Sequence, residues 1–223
     1  MKILAFDAAT EACSAALLIE ESVAERFEVP GRGHAARLLP MADELLREAG
    51  VDARDLDAIA FGRGPGGFTG LRIAAGLAQG LAAGNRLPIL PVSNLAAVAA
   101  AAARTAGVSR VLACMAARMG QGYWGAYDCT GVAPVAVGPE HLASPEAVEP
   151  PGGMVWFGAG HGFSAHPQLA TRLGASLAGV DASILPRAAD IARIAAVDYA
   201  AGNGLPAAQG LPVYLRDDVV HRR

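Results

Sequence analysis

The stretch LDAIAFGRGPGGFTGLRIAAGLAQGLAAG, residues 56–84, constrains the fold more than any other part of the chain. An apolar run of strand type leads into five glycines within positions 62–70, and then into a helix with almost no polar side. At 100° per residue, Leu71, Ala75, Ala78 and Ala82 share one face, and Ile73, Gly76, Leu77, Gly80 and Gly84 share the opposite one. Only Arg72 and Gln79 mark a narrow polar edge, and a helix of this kind calls for cover on two sides. Gly76, Gly80 and Gly84 form a flat strip that lets another backbone approach closely. Each glycine weakens the helix by about 0.8–1 kcal/mol relative to alanine, so close packing is expected to compensate. The expected neighbour is the helix after His34, whose apolar side gathers Leu38, Met41, Ala42, Leu45 and Ala49. Both helices then belong to the core, or together they show an apolar surface to another chain.

The glycine run also invites a nucleotide reading. Gly62, Gly64 and Gly67 satisfy G-x-G-x-x-G, yet the fingerprint wants an acidic residue about twenty positions on. Between Asp57 and Asp128 there is no carboxylate at all, and the chain's single lysine is Lys2. The dinucleotide and P-loop readings of this loop therefore fail on their own chemistry, and no magnesium ligand or general acid comes from the middle third. That same segment holds Arg63, Arg72, Arg86, Arg104, Arg110 and Arg118, an excess that coding bias accounts for. What remains is a helix N-terminus capped by Thr69, with the N–H groups of Gly66 and Gly67 free to meet an anion; capping alone explains it equally well.

The rest of the chain reads as two strand–helix sets. Strands are expected at 3–6, 13–19 and 23–29, the first two as a hairpin. Helix 34–49 follows, ended by Gly50, with Pro40 in its first turn or kinking it. After the glycine loop and its helix come a strand over LPILPVS and a helix over 94–106 capped by Ser93 or Asn94. From Arg110 the pattern restarts with VLACMA, a turn, and YWGAYD. Residues 131–153 are rich in Pro and Gly and are expected to be irregular. A strand at 155–157 and a helix at 188–201 complete the set. This is a duplicated α/β architecture with its boundary near 104–110, within the reach of a 223-residue chain. A net charge of −3 gives no pull toward nucleic acid or anionic lipid. Three cysteines without a C-x-x-C pair, and an N-terminal apolar run too short for a signal peptide, point to a reduced cytoplasmic protein.

Two further motifs bear on chemistry. FDAATEACSAALL places Asp7 and Thr10 between a strand and its return, like the first phosphate loop of the actin–hexokinase–Hsp70 class, with Ala9 where glycine is usual. A turn capped by Asp has the same pattern. GHGFSAH sets Ser164 between His161 and His166 but lacks the last glycine of a nucleophile elbow. His34 has Leu38 where an i+4 metal partner would stand.

The segments GRGPGGFTGLRIAAGLAQGLA, DAATEACSAAL, HAARLLPMADELL, ARMGQGYW and PVYLRDDV together resemble the TsaB family of bacterial tRNA threonylcarbamoyladenosine biosynthesis proteins. The likeness spans nearly the whole chain, with Gly67 in place of the family's serine and Ala116 and Gln121 in place of acidic residues. It implies a two-lobed actin-like (ASKHA) α/β fold, each lobe a mixed sheet with flanking helices, with lobes at 1–106 and 107–223. It implies a non-catalytic, cytoplasmic subunit that binds and activates TsaD in making threonylcarbamoyladenosine in tRNAs that read codons beginning with A. It also implies TsaE in a ternary complex, only indirect contact with tRNA, and no cofactor or metal; the two apolar helix faces, which would otherwise meet water, call for a homodimer through the same helices when the chain is alone. The partner interface is placed on His34, Leu38, Met41, Leu45, Leu71, Ile73, Gly76, Leu77 and Gly80. A weak nucleotide or anion contact is placed on Asp7, Thr10, Gly66, Gly67 and Thr69. The alternatives are a weak ATP- or ADP-binding ASKHA protein and a glycoprotease-like hydrolase.

Overall fold

The computed structural model describes residues 1–31 and 33–215, so the RDDV part of the last segment quoted above lies outside the described residues. Three antiparallel strands open the chain, β1 (Lys2–Asp7), β2 (Cys13–Ile19) and β3 (Ser22–Glu28). Helix α1 (His34–Ala49), β4 (Ala58–Gly64), α2 (Phe68–Asn85), β5 (Ile89–Ser93) and α3 (Asn94–Ala106) follow. β4 and β5 add in parallel, giving the order β3-β2-β1-β4-β5. The second half repeats the plan with β6 (Arg110–Ala116), β7 (Gly122–Asp128), β8 (Val135–Ala136), β9 (His141–Ala143) and β10 (Trp156–Ala159). It continues through α4 (Gly162–Ala165), α5 (Pro167–Leu173), β11 (Leu177–Asp181) and α6 (Ala188–Ala200). Its sheet runs β11-β10-β6-β7-β8, with β9 also on β7, so each lobe is an antiparallel start extended by parallel strands. The two-lobed mixed α/β architecture expected from the resemblance is the one observed.

Small side chains set how closely the lobes approach. α3 buries Leu95, Ala96, Ala97, Val98, Ala99, Ala101 and Ala102, and packs against β4 and β5 on one side and β6 and β7 on the other. The Ser93 hydroxyl caps it, accepting from the N–H groups of Leu95 (3.1 Å) and Ala96 (3.2 Å), as its sequence position requires. α6 returns from the second half of the chain to cover β1, β2, β4 and β5 of the first sheet, and its buried Asp190 pairs with Arg104 of α3. α1 and α2 cover the opposite face of that sheet through Leu38, Met41, Leu45, Ala74, Ala78 and Ala82.

Several local expectations need correction. Pro40 sits inside α1, beyond the first turn; it and Ala36, whose carbonyl loses its partner, are both exposed, so water can take the freed group. α2 begins at Phe68 with Gly67 as its N-cap, so Thr69 lies within the first turn and caps nothing. Residues 131–153 are not wholly irregular, since β8 and β9 fall there. Nor do the described residues cover α2 on two sides: Leu71, Ala74, Ala75, Ala78 and Ala82 are buried, while Gly76, Gly80 and Gly84 are exposed, and a Cβ added to any of the three would meet none of the described residues within 4 Å.

Candidate functional site

Two regions bear on function, the cleft between the lobes and the outer face of α2. The cleft, about 1130 Å³, is lined by the first hairpin turn (Ala8–Glu11), the glycine loop and the start of α2, Ala116 to Arg118, Tyr123 and His161. Its first-lobe wall explains the glycine run. Gly67 N–H donates to Ala9 O at 2.7 Å, a Cβ on Gly66 would stand 2.7 Å from the Ala9 Cβ, and one on Gly70 would collide with Ala8 O. The loop is built to close onto the hairpin turn, a tight backbone-to-backbone approach that only glycine permits. Gly67 is therefore not a free donor for an anion, contrary to expectation. Thr10 lines the cleft, its hydroxyl accepting from Ala12 N–H at 3.2 Å, and Gly66 and Thr69 line it as well.

Asp7 ends β1 with no exposed surface. Asn94 Nδ2 donates to its Oδ1 at 2.5 Å and Ala9 N–H to its Oδ2 at 3.3 Å, while Asn94 Oδ1 accepts from Gly64 N–H at 2.7 Å. Burial pushes the Asp7 carboxyl up to about 7, against the pull of these hydrogen bonds. Asp7 thus joins β1, β4 and α3 from behind the cleft wall and does not line the cleft, which removes it from the expected anion contacts. Across the cleft, His161 Nε2 accepts from Ala116 N–H at 3.2 Å, which leaves its buried Nδ1 without a partner among the described residues. Burial lowers the His161 pKa. Ser164 Oγ donates to the carbonyl of His161 (2.9 Å) and His166 Nε2 faces Gln121 O (3.0 Å), so neither imidazole is aligned on the serine as a base.

Apart from the residues that line the cleft, polar groups from both lobes are laced together around Glu140. Glu140 accepts from Ser93 Oγ and from Tyr127 Oη (2.5 Å), and its second oxygen lies 3.8 Å from Arg63. Burial and the neighbouring Glu140 carboxylate raise the Tyr127 pKa. Two arginines of the carboxylate-free segment thus find their acids elsewhere in the chain, Arg63 at Glu140 and Arg104 at Asp190.

The expected interface residues divide by burial. Leu38, Met41, Leu45 and Leu71 are at most 2% exposed, so they support the surface from below and cannot form it. Ile73 and Leu77 are half-buried, Gly76 and Gly80 exposed, and His34 half-buried with Nε2 3.3 Å from Glu11 O. The polar edge of α2 is also engaged. Gln79 Nε2 donates to Gly210 O at 3.1 Å and Arg72 Nε to Tyr214 Oη at 3.1 Å, so a segment after α6 lies along that flank. Sequence reasoning missed this strap, because residues 202–215 carry neither a helical nor a strand period.

Residues 22–204 match the TsaD family, tRNA N6-adenosine threonylcarbamoyltransferase. The chain is 40% identical to the tRNA threonylcarbamoyladenosine biosynthesis protein TsaB of Escherichia coli, over all of this chain and 98% of that one. It is 37% identical to the TsaB of Haemophilus influenzae, over all of this chain and 97% of that one. Among solved structures, YeaZ from Pseudomonas aeruginosa superposes with a TM-score of 0.90 at 46% identity, covering 96% of this chain and 99% of that one.

Proposed function

The chain belongs to the TsaD family and, within it, to the TsaB proteins of tRNA threonylcarbamoyladenosine biosynthesis, and we propose that it is the accessory subunit that docks on a TsaD protein and activates it. The observation that carries this reading is the outer face of α2. An 18-residue helix leaves Gly76, Gly80 and Gly84 in open space, where each glycine costs helix stability and a Cβ would meet nothing among the described residues. A strip of this kind gains its value when a second helix lies directly on it, because absent side chains let backbones approach closely. Half-buried Ile73 and Leu77, with exposed Leu39 of α1, add apolar area beside it.

On this reading the chain has no catalytic residues of its own. The groups around its cleft are engaged structurally, Asp7 by Asn94, Gly67 by Ala9 and His166 by Gln121. TsaE joins the assembly, tRNA is reached through TsaD, and the cytoplasm is the site of action. When TsaD is absent, a second copy of the chain covers the same face. No helix among the described residues is long and apolar enough to cross a membrane.

The test is reconstitution. Purified chain, TsaD, TsaE, unmodified tRNA, ATP and threonylcarbamoyl donor are combined with each protein omitted in turn, and the modified nucleoside is quantified. The expected result is product only when this chain and TsaD are both present, and no product or ATP turnover from this chain alone. Turnover by the isolated chain that Asp7→Ala abolishes without lowering the melting temperature would establish an active site and overturn the accessory role.

A further inference from the structure

The strap that follows α6 is fixed along its length. The backbone N–H and C=O of Leu205 both pair with Ile89, which covers the open edge of β5. Gln79 then holds Gly210, and Val213 N–H donates to Arg63 O at 2.7 Å. Gly64 makes that last contact possible, since a Cβ there would stand 2.6 Å from Val213 O. Tyr214 comes to rest on the first turn of α2. Its ring is 5.3 Å from that of Phe68, and the Arg72 guanidinium lies over Phe68 at 3.7 Å while its Nε donates to the Tyr214 hydroxyl. Phe68 is 45% exposed and Tyr214 39%, so the trio, two residues of α2 and one of the strap, stands at the surface beside the glycine strip.

We propose that Phe68, Arg72 and Tyr214 form the anchor of the docking face and that Arg72 receives a carboxylate from the TsaD subunit. This rests on the reading of α2 as the docking helix. The guanidinium is stacked on one ring and hydrogen-bonded to another, so it is ordered before the partner arrives and loses little rotamer freedom on pairing. Its terminal nitrogens make no hydrogen bond or ion pair among the described residues. No carboxylate lies on α2 to satisfy them from the same helix. Aromatic and arginine side chains flanked by a flat apolar strip are the composition in which interface energy concentrates.

Affinity for TsaD is measured by titration at low and at raised salt, with a melting curve for every variant. Arg72→Ala is expected to bind at least tenfold more weakly and to lose most of the salt dependence of the parent, with an unchanged melting temperature. Tyr214→Ala is expected to bind several-fold more weakly, because Arg72 loses one of its two supports. A chain ended after Leu215 is expected to keep the salt dependence. If that truncation removes it, the salt dependence belongs to charged residues after Leu215 and not to Arg72, and the proposal fails. If Arg72→Ala weakens binding with the salt dependence intact, the carboxylate is wrong. If Gly80→Leu blocks docking while Arg72→Ala and Tyr214→Ala bind like the parent, the anchor is wrong and the docking helix stands. If all three bind like the parent, both readings fall.

Discussion

Gly80 of α2 offers a test in which stability and docking move in opposite directions. A Cβ there meets no atom within 4 Å, and the residue lies in regular helix, so alanine adds nothing unfavourable in the isolated chain. The helix propensity difference alone predicts that Gly80→Ala stabilises by about 0.8–1 kcal/mol. For a chain of this size that raises the melting temperature by roughly 2–4 °C. Gly70, nearly three turns earlier in the same helix, must behave oppositely, because its Cβ would drive into the Ala8 carbonyl; Gly70→Ala should destabilise by about 1–3 kcal/mol. Docking reverses the picture for Gly80. A leucine fills the space a close helix neighbour needs, and overpacking of about 1–3 kcal/mol corresponds to about a 5- to 150-fold loss of affinity. Thermal melting at low protein concentration and calorimetric titration of TsaD with Gly80→Leu read the two effects separately. A Gly80→Ala chain that melts lower than the parent would refute the outward-facing strip. A Gly80→Leu chain that melts normally and binds TsaD like the parent would refute close packing as the reason for the glycines.

Three further outcomes follow from the same geometry. The Asp7 carboxyl, held at about 7 by burial, well above the ordinary carboxylate range near 4, binds its proton more tightly in the folded state, so its favourable contribution is complete below about pH 4 and is lost as pH rises through about 7. The melting temperature of Asp7→Asn relative to the parent should therefore climb between about pH 5 and pH 8, and a constant difference would count against a buried carboxyl that titrates late. Glu140→Ala strips the Ser93 and Tyr127 hydroxyls of their shared acceptor, so melting should show a loss of about 1–3 kcal/mol, and an unchanged melting temperature would mean the interlobe lacing adds nothing. In isolation the chain should form a homodimer by light scattering at about tens of micromolar, with Gly80→Leu shifting it to monomer; a strict monomer for the parent would show that the α2 face does not pair with itself.

Much of the fold was legible because local signals agreed. β2 was expected over Cys13–Ile19 and found there, and Ser93 caps α3 as its hydroxyl and its position before an alanine-rich run suggest. The failures share a cause in tertiary contacts. Thr69 has the type and place of a helix cap, but the Gly67–Ala9 hydrogen bond fixes the loop so that α2 starts before it. Leu38, Met41 and Leu45 lie on the apolar stripe of α1, and the stripe alone does not say whether core or partner covers it; the first sheet covers it. The glycine strip looked apolar on a wheel because glycine has no side chain to show polarity, so an open face and a buried one read alike. The strap escaped because its order comes from Ile89, Gln79 and Arg63, each far from it in sequence.

The strap and the Asp7 junction also explain how a cleft of this ancestry can serve a docking helix. Asp7, Asn94 and Gly64 tie the end of β1, the start of α3 and the end of β4 into one hydrogen-bonded joint. Gly62 leaves room for it, since a Cβ there would press on both the Asp7 and Asn94 side chains. From this joint the chain passes through three residues, Pro65, Gly66 and Gly67, into α2, with the glycine loop clamped on Ala8 and Ala9 and the strap clamped on Arg63. The backbone entering α2 is therefore held from the hairpin turn, from the interlobe helix and from the C-terminal strap at once. A residue type suited to orienting a cation beside phosphate is here fully buried and hydrogen-bonded within the protein, where its effect is to fix the angle at which α2 leaves the sheet. If α2 docks as proposed, rigidity at that point is what a helix without side chains on its outer strip requires, because a backbone-to-backbone contact tolerates far less misplacement than one cushioned by flexible side chains.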